Sequence, residues 1–197
     1  SVAYRITRSL LIGTGTAVVS GLTIQGDGHP RILWDGGALD TMLEIRSVAE
    51  SRIEGLWIDG NDVAGVTGIH VYCDPNYPGQ RLTFRGCMIQ HCPVYGIRLV
   101  QDANATCDYI CFDMTDLSYK GVNLRIEGDI RQVDYRGGSI LNAVTYGGDV
   151  ESGCFYGYNS FFGRSGTADI LLATNTAGLA LHTSRHESKK VLVATAA

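Results

Sequence analysis

The sequence predicts an all-β protein, a single-stranded right-handed parallel β-helix of about seven coils with a period near 25 residues. Three observations predict this fold. A short apolar–variable–apolar segment recurs along the chain, and a second series of strand-like segments alternates with it. The 197 residues also include 25 glycines but only four prolines, which favours many short strands and tight bends. Interleaved series of nearly equal period indicate a solenoid, and parallel crossovers are almost always right-handed.

The first series supplies one strand to each coil. It reads LTIQGDG at residue 22, LWIDGNDV at 56, LTFRGCMI at 82, ICFDMTDL at 110, VDYRGGSI at 133, CFYGYNSF at 154 and LALHTSRH at 179. Apolar and polar residues alternate, so one side of each strand faces the core and the other faces solvent. The predicted inward ladder is Leu56, Leu82, Ile110, Val133, Cys154 and Leu179, beside Ile58, Phe84, Phe112, Tyr135, Tyr156 and Leu181.

The outward side of this series forms a column in which acidic and basic residues alternate. Trp57 and Phe155 are also predicted to point outward, where an exposed aromatic ring can stack on a sugar. The column is Gln25, Asp59, Arg85, Asp113, Arg136, Gly157 and His182. It fits either a solvated charge ladder or a glycan-binding groove.

The second series reads LEIR at 43, IHVY at 69, IRLV at 97, VNLR at 122, VTYG at 144, ILLA at 170 and VLVA at 191. Three copies follow a glycine, at Gly68, Gly96 and Gly121. One predicted outward column is Glu44, His70, Arg98, Asn123, Thr145, Leu171 and Leu192, and the next is Arg46, Tyr72, Val100, Arg125, Gly147 and Ala173. His70 between Glu44 and Arg98 could carry a proton or could be a hydrogen-bonded surface histidine.

Composition excludes several classes of protein. The net charge is −4 and no basic run is present, so nucleic acid is not a predicted partner. The apolar runs are far shorter than a membrane span, and no membrane insertion is predicted. The six cysteines are predicted to be free thiols, because their spacing does not match a paired zinc motif. No metal site and no cofactor are predicted.

The coil pattern resembles the right-handed parallel β-helix of the pectin-lyase-like superfamily, and more narrowly that of bacteriophage tailspikes and capsule depolymerases. YRITRSLLI followed by GLTIQGDG (Tyr4 to Gly28) resembles their entry coil, and SRHESKKVLV (Ser184 to Val193) resembles their late coils. The catalytic motifs of polygalacturonases, pectate lyases and alginate epimerases are not found. One domain over residues 1–197 is predicted, as a fragment of a longer chain, because both ends open directly into strands.

The resemblance implies a module of a virion tail that recognises, and in some relatives hydrolyses, a bacterial surface polysaccharide. An extracellular or cell-surface location is the alternative, and a non-catalytic structural or adhesin segment is the alternative function. The resemblance also implies a homotrimer. An outward apolar strip of Leu171, Ala173 and Leu192 favours self-association, because a lone chain rarely leaves such a strip bare.

Glycoside hydrolysis needs two carboxyl groups, and Asp113 and Asp134 are the predicted catalytic pair. One rung and two residues place their Cα atoms roughly 8 Å apart, which suits an inverting enzyme. Asp59 is the predicted further partner. The two widest loops, at 71–80 and 100–109, are also where a rigid scaffold places ligand contacts. The predicted substrate-binding residues are Trp57, Arg85, His70, Tyr72, Arg98, Asp74, Tyr77 and Asp102, with Asn104 as a further loop candidate.

Overall fold

The chain folds into parallel β-strands joined by loops and turns, in a computed structural model that describes most of it. The described residues are 3–14, 17–73, 80–102, 105, 107–118, 121–128, 130–143, 145–187 and 191–193. Among them there is no helix, and hence none long and apolar enough to cross a membrane.

The described residues form 22 strands. They are β1 (Ala3–Ile6), β2 (Leu10–Ile12), β3 (Val19–Ser20), β4 (Thr23–Gln25), β5 (Arg31–Trp34), β6 (Thr41–Arg46), β7 (Val48–Glu54), β8 (Trp57–Asp59), β9 (Thr67–Cys73), β10 (Gln80–Arg85), β11 (Met88–Gln90), β12 (Tyr95–Gln101), β13 (Ile110–Asp113), β14 (Asp116–Ser118), β15 (Val122–Glu127), β16 (Val133–Arg136), β17 (Ser139–Leu141), β18 (Tyr146–Tyr158), β19 (Phe161–Gly163), β20 (Ala168–His182), β21 (Arg185–Glu187) and β22 (Val191–Val193).

These strands stack as a right-handed parallel β-solenoid of about six turns with a period of roughly 27 residues. The first face is the eight-stranded sheet β1-β5-β8-β11-β14-β17-β19-β21. The second face holds β2, β6, β9, β12, β15, β22 and the N-terminal halves of β18 and β20. The third face holds β3, β4, β7, β10, β13, β16 and the C-terminal halves of β18 and β20. The predicted fold class is confirmed.

The turns shorten along the chain. Paired residues of the first face are 26–31 positions apart from Tyr4 to Leu117 and 22–24 positions apart from Leu117 to His186. In most early turns several residues separate the strands of the second and third faces, although β6 and β7 are separated by Ser47 alone, whereas β18 and β20 each run through both faces as one strand. The second and third faces therefore form one continuous 14-stranded sheet.

The core of the third face is an aromatic ladder. Phe84, Phe112 and Tyr135 pair on successive strands, as predicted, and all three are fully buried. The first two rings stack 5.2 Å apart, and the next centroid distance is 5.7 Å. The hydroxyl of Tyr135 donates to the carbonyls of Thr115 and Ser139, which satisfies the one polar atom of the ladder.

The predicted alignment of the first series is wrong at two places. Leu56 does not stack on Leu82, because the LWID segment lies on the first face and Leu82 pairs with Ser51 of β7. At CFYGYNSF the register is shifted by one residue, so Phe155 is buried and pairs with Val133. An alternating pattern identifies strands but does not say which of three faces a strand joins.

The second series is also misaligned at its fourth and fifth copies, whereas Leu171 and Leu192 of the last two copies lie in the predicted column. Arg98 pairs with Arg125, not with Asn123, and Arg125 pairs with Asp149. Asn123 turns inward at the corner between the first and second faces, where its side-chain amide donates to the carbonyl of Leu141 at 2.8 Å. A polar side chain at this corner satisfies backbone groups that the bend leaves unpaired.

In successive turns, the chain passes from the third face to the first through a residue with a left-handed backbone conformation. From Gly55 to Asn159, each such residue donates its N–H to a carbonyl of the next turn, for example Met114 to Arg136 at 2.7 Å. Glycine suits this backbone because a Cβ there is crowded. The residues are Gly55, Gly86, Met114, Gly137, Asn159 and Thr183, with φ between 49° and 63°.

Replacing Met114 by glycine is expected to stabilise the protein by about 0.5–1 kcal/mol. The substitution removes the cost of holding a side chain on left-handed backbone, roughly 1–2 kcal/mol. It adds the extra conformational entropy that glycine loses on folding, about 0.5–1 kcal/mol. Little burial is lost, because Met114 is 62% exposed. Gly86→Ala is the matched control, since a Cβ there meets no atom beyond the adjacent residues, and only the left-handed φ of 56° opposes the substitution. In urea denaturation, Met114→Gly should raise the midpoint and Gly86→Ala should lower it; a lower midpoint for Met114→Gly would contradict the account.

Candidate functional site

The structure distributes the predicted site residues over three faces. Arg85, Asp113 and Asp134 share the third face. His70, Tyr72 and Arg98 lie on the second face, with Asp102 just after β12. Trp57 and Asp59 lie on β8 of the first face. Asp74, Tyr77 and Asn104 lie outside the described residues.

The predicted pair Asp113 and Asp134 lies on adjacent strands of the third face. Asp134 pairs with Cys111 and Asp113 with Arg136, so the two acids are offset by two residues and point to the same side. Arg85 on the preceding strand forms an ion pair with Asp113 at 3.3 Å. The side chain of Asp113 remains 36% exposed and accessible to a ligand.

Asp134 is held in place by three donors. The Tyr109 hydroxyl and the Gln132 amide donate to it at 3.1 and 2.9 Å, and Arg136 approaches to 2.6 Å. Its side chain is only 1% exposed. The hydrogen bond to Asp134 raises the pKa of Arg136, and burial, with a hydrogen bond to Cys111, raises the pKa of Tyr109. Asp134 therefore organises the groups around it, and Asp113 is the more accessible carboxylate.

Ring side chains gather at the C-terminal end of this face. Tyr158 pairs with Arg136 and His182, and its ring stacks on the His182 ring at 5.2 Å with an angle of 7°. The Arg136 guanidinium lies 5.9 Å from the Tyr158 ring centre. Tyr156 also points outward, against the prediction, because of the one-residue shift at Phe155. A register fixed by the buried Phe155 would have revealed both tyrosines from the sequence.

The second face carries a self-paired charge network. Arg98 donates to both oxygens of Glu127, at 3.2 and 2.8 Å. Arg125 contacts Glu127 at 3.0 Å, Asp149 at 2.5 Å and Glu151 at 3.2 Å. Burial opposes ionisation of Glu127, but the hydrogen bonds from Arg98 and Arg125 outweigh it and lower the pKa. The cations of this face are thus largely occupied by carboxylates of the same face.

His70 lies in this network between Glu44 and Arg98, as predicted. Burial and the nearby Arg98 charge lower the pKa of His70, which favours the neutral imidazole. Its Nε2 atom is buried, and no hydrogen-bond partner is found for it among the described residues. The neighbouring Tyr72 donates its hydroxyl to Asp102 at 3.0 Å, which links the strand to the following loop.

Asp59 does not belong to the exposed acidic column in which it was predicted. It lies on the first face, and its side chain has no exposed surface. Arg31 donates two bonds to one oxygen at 3.1 and 2.8 Å, while the Asn61 N–H and His91 Nδ1 lie 2.9 and 3.1 Å from the other. The long side chain of Arg31 covers the carboxylate, which sequence alternation alone does not reveal. The same guanidinium covers the Trp57 ring at 5.0 Å.

All six cysteines are free, and five of them are buried. Across the described part of the chain, no three His, Cys, Asp or Glu side chains come together in a group that could hold a metal ion.

No protein-family model and no curated protein matches this sequence. Solved structures do match the fold. Pectate lyase Pel9A superposes with a TM-score of 0.55 at 14% identity, over 92% of this chain and 54% of that chain. ORF18 of Geobacillus virus E2 superposes with a TM-score of 0.52 at 12% identity, over 98% of this chain and 52% of that one. This chain thus spans about half the length of each. Such identities bear on the fold alone, and this chain shares the parallel β-helix fold of pectate lyase Pel9A.

Proposed function

We propose that the third face binds a bacterial surface polysaccharide. The observation that carries the proposal is the ring cluster at the C-terminal end of this face, next to ion-paired acids and arginines. Sugars present apolar C–H faces that pack on aromatic rings, and hydroxyls that bond to charged side chains. Rungs about 4.8 Å apart let successive sugar units contact successive strands. The rings are Tyr156, Tyr158 and His182, and the charged residues are Arg85, Asp113, Asp134 and Arg136. Tyr109 lies just before β13, at the other end of the strands, and contributes through its hydrogen bond to Asp134.

The exposure of the arginines favours the third face over the second as the polysaccharide-binding surface. Arg85 and Arg136 are 60% and 52% exposed, whereas Arg98 and Arg125 of the second face are 36% and 22% exposed. Exposed guanidinium groups can exchange a water contact for a sugar hydroxyl at little cost, while those of the second face would first have to leave their carboxylates. The second face also carries residues whose contact with the polysaccharide stays a prediction: His70, Tyr72, Arg98 and Asp102.

Hydrolysis of the bound chain is a second candidate function, favoured by the register of Asp113 and Asp134 on adjacent strands. Their Cα atoms are roughly 8 Å apart by strand geometry, in the range of carboxylates that act by inversion. The structural or adhesin segment remains the alternative function, in which the same face binds without cleavage or serves only as a spacer.

The setting that we propose is a virion tail in which the module is homotrimeric. A protein of Geobacillus virus E2 shares the fold, and Leu171 on the outward side of the second face pairs with Leu192 in the predicted strip. The side chains of Leu192 and Ala173 lie outside the described residues. Light scattering that finds a clean monomer for the full-length chain would contradict the trimer.

The test compares two tyrosines whose rings each lie beneath an arginine guanidinium group. Tyr158 lies under Arg136 on the third face, and Tyr95 lies under Arg98 on the second, at 5.9 and 5.6 Å. In affinity electrophoresis through gels containing purified capsule polysaccharides or O-antigens, Tyr158→Ala is expected to weaken binding about tenfold, or about 1.4 kcal/mol, because the Tyr158 ring holds Arg136 and His182 in place on the binding face. Tyr95→Ala is expected to leave binding unchanged. Equal losses for both variants, or no retention of the wild type by any polysaccharide, would refute the proposal.

A further inference from the structure

Outward-facing rings of this protein differ in whether their faces are covered. The two faces of Tyr158 are occupied by Arg136 and His182, which lie on the strands to either side. A guanidinium group also covers three other rings: Arg31 covers Trp57, Arg98 covers Tyr95 and Arg185 covers Phe161, at 5.0–5.6 Å. A ring so covered offers a ligand its edge and any polar atom, but not a flat apolar surface.

Tyr156 is different. Within the part of the chain that the structure describes, no aromatic ring or guanidinium group lies over it. The residue is half-buried and points outward between Asp134 on one strand and Ala180 on the next. Its ring is therefore the one in the third-face cluster that is both outward and uncovered among the described residues.

The Tyr156 side chain lies along the sheet instead of standing away from it. The interaction of its hydroxyl with Cys154, two residues earlier on the same strand, raises the pKa of Tyr156. The hydroxyl oxygen is also 3.6 Å from the position that a Cβ of Gly178 would occupy on the next strand. Gly178 has no side chain and Ala180 has only a methyl group, so the ring has room to lie flat with one face towards the sheet.

We infer that Tyr156 is the stacking platform for one pyranose unit of the polysaccharide, held by a C–H face of that sugar. The inference rests on the proposed function and refines its site. Asp134, with Gln132 and Arg136 bonded to it, borders the platform on the preceding strand and supplies polar partners for hydroxyls at the rim of the sugar ring. An apolar platform with a polar border on one side matches a pyranose, whose faces are apolar and whose rim is polar.

The test is saturation-transfer NMR with the methyl glycosides of glucose, galactose, rhamnose and N-acetylglucosamine as probes. For the glycoside that binds wild type best, Tyr156→Ala is expected to weaken affinity about tenfold, and Tyr156→Phe by no more than about twofold, because phenylalanine keeps the ring. Gly178→Leu should weaken binding as much as Tyr156→Ala, because leucine would fill the space beneath the ring. The φ of Gly178 is not left-handed, so its backbone accepts leucine. Thermal melts matching the wild type show that the variants fold.

The outcomes separate this inference from the proposed function. Wild-type affinity in Tyr156→Ala, or no transfer to any of the four glycosides, overturns the platform. If polysaccharide gels nevertheless retain the wild type, and Tyr158→Ala weakens that binding, the third face still binds glycan. Only the role of Tyr156 is then wrong. If no polysaccharide is retained at all, the proposed function fails with it.

Discussion

Replacing Phe112 with alanine is expected to lower the free energy of unfolding by about 3–5 kcal/mol. Phe112 is fully buried in the middle of the third-face ladder, with Phe84 on one side and Tyr135 on the other. Removal of the ring leaves a cavity between two rings that are held by their own strands, so the core cannot close over it. In a solenoid each turn packs only on its neighbours, and a cavity in a middle turn weakens both of its interfaces.

Urea denaturation followed by circular dichroism measures this effect. Met88→Ala is the control, because Met88 is an apolar side chain on the outside of the first face and a surface substitution changes stability by less than about 0.5 kcal/mol. A loss below about 1 kcal/mol for Phe112→Ala would mean that the turns repack freely, which is inconsistent with a close-packed ladder.

The sequence was sufficient to predict this ladder. It was insufficient to predict which of the three faces each strand joins. Phe84, Phe112 and Tyr135 fall on strands whose alternation and spacing leave one reasonable alignment. Leu56 was misplaced because β8, on another face, shows the same alternation as β10. Period two fixes which side of a strand is buried, but the assignment to a face depends on loop lengths, which vary from turn to turn.

The candidate site was predictable to the same extent. Asp113 and Asp134 were placed together correctly, because they follow the ladder register on the outward side. Tyr156 was predicted to be inward, since one residue of slip exchanges the two sides of a strand. The burial of Asp59 could not be predicted from alternation, because it results from the side-chain conformation of Arg31 on the preceding turn.

Substitution of Asp113 by asparagine is expected to reduce polysaccharide cleavage by a factor of about 10²–10⁴ if the third face is an inverting glycosidase. Asparagine keeps the shape of the side chain and its place beside Arg85, but it can neither donate nor accept the proton that the reaction transfers. Asp134→Asn should lose as much activity. It should also lose stability, because Asp134 is buried and its bond with Arg136 would be weakened.

Release of reducing ends from a polysaccharide retained by the wild type is the measurement. Asp149→Asn is the matched control, because Asp149 is a largely buried, arginine-paired acid of the second face. Its variant should cleave at the wild-type rate. Cleavage at that rate by Asp113→Asn would exclude the pair from catalysis. Retention by the wild type without any cleavage would instead assign the third face to binding alone. The burial of Asp134 would then explain the lack of catalysis, because its carboxylate, held by three donors, could not reach the glycosidic oxygen.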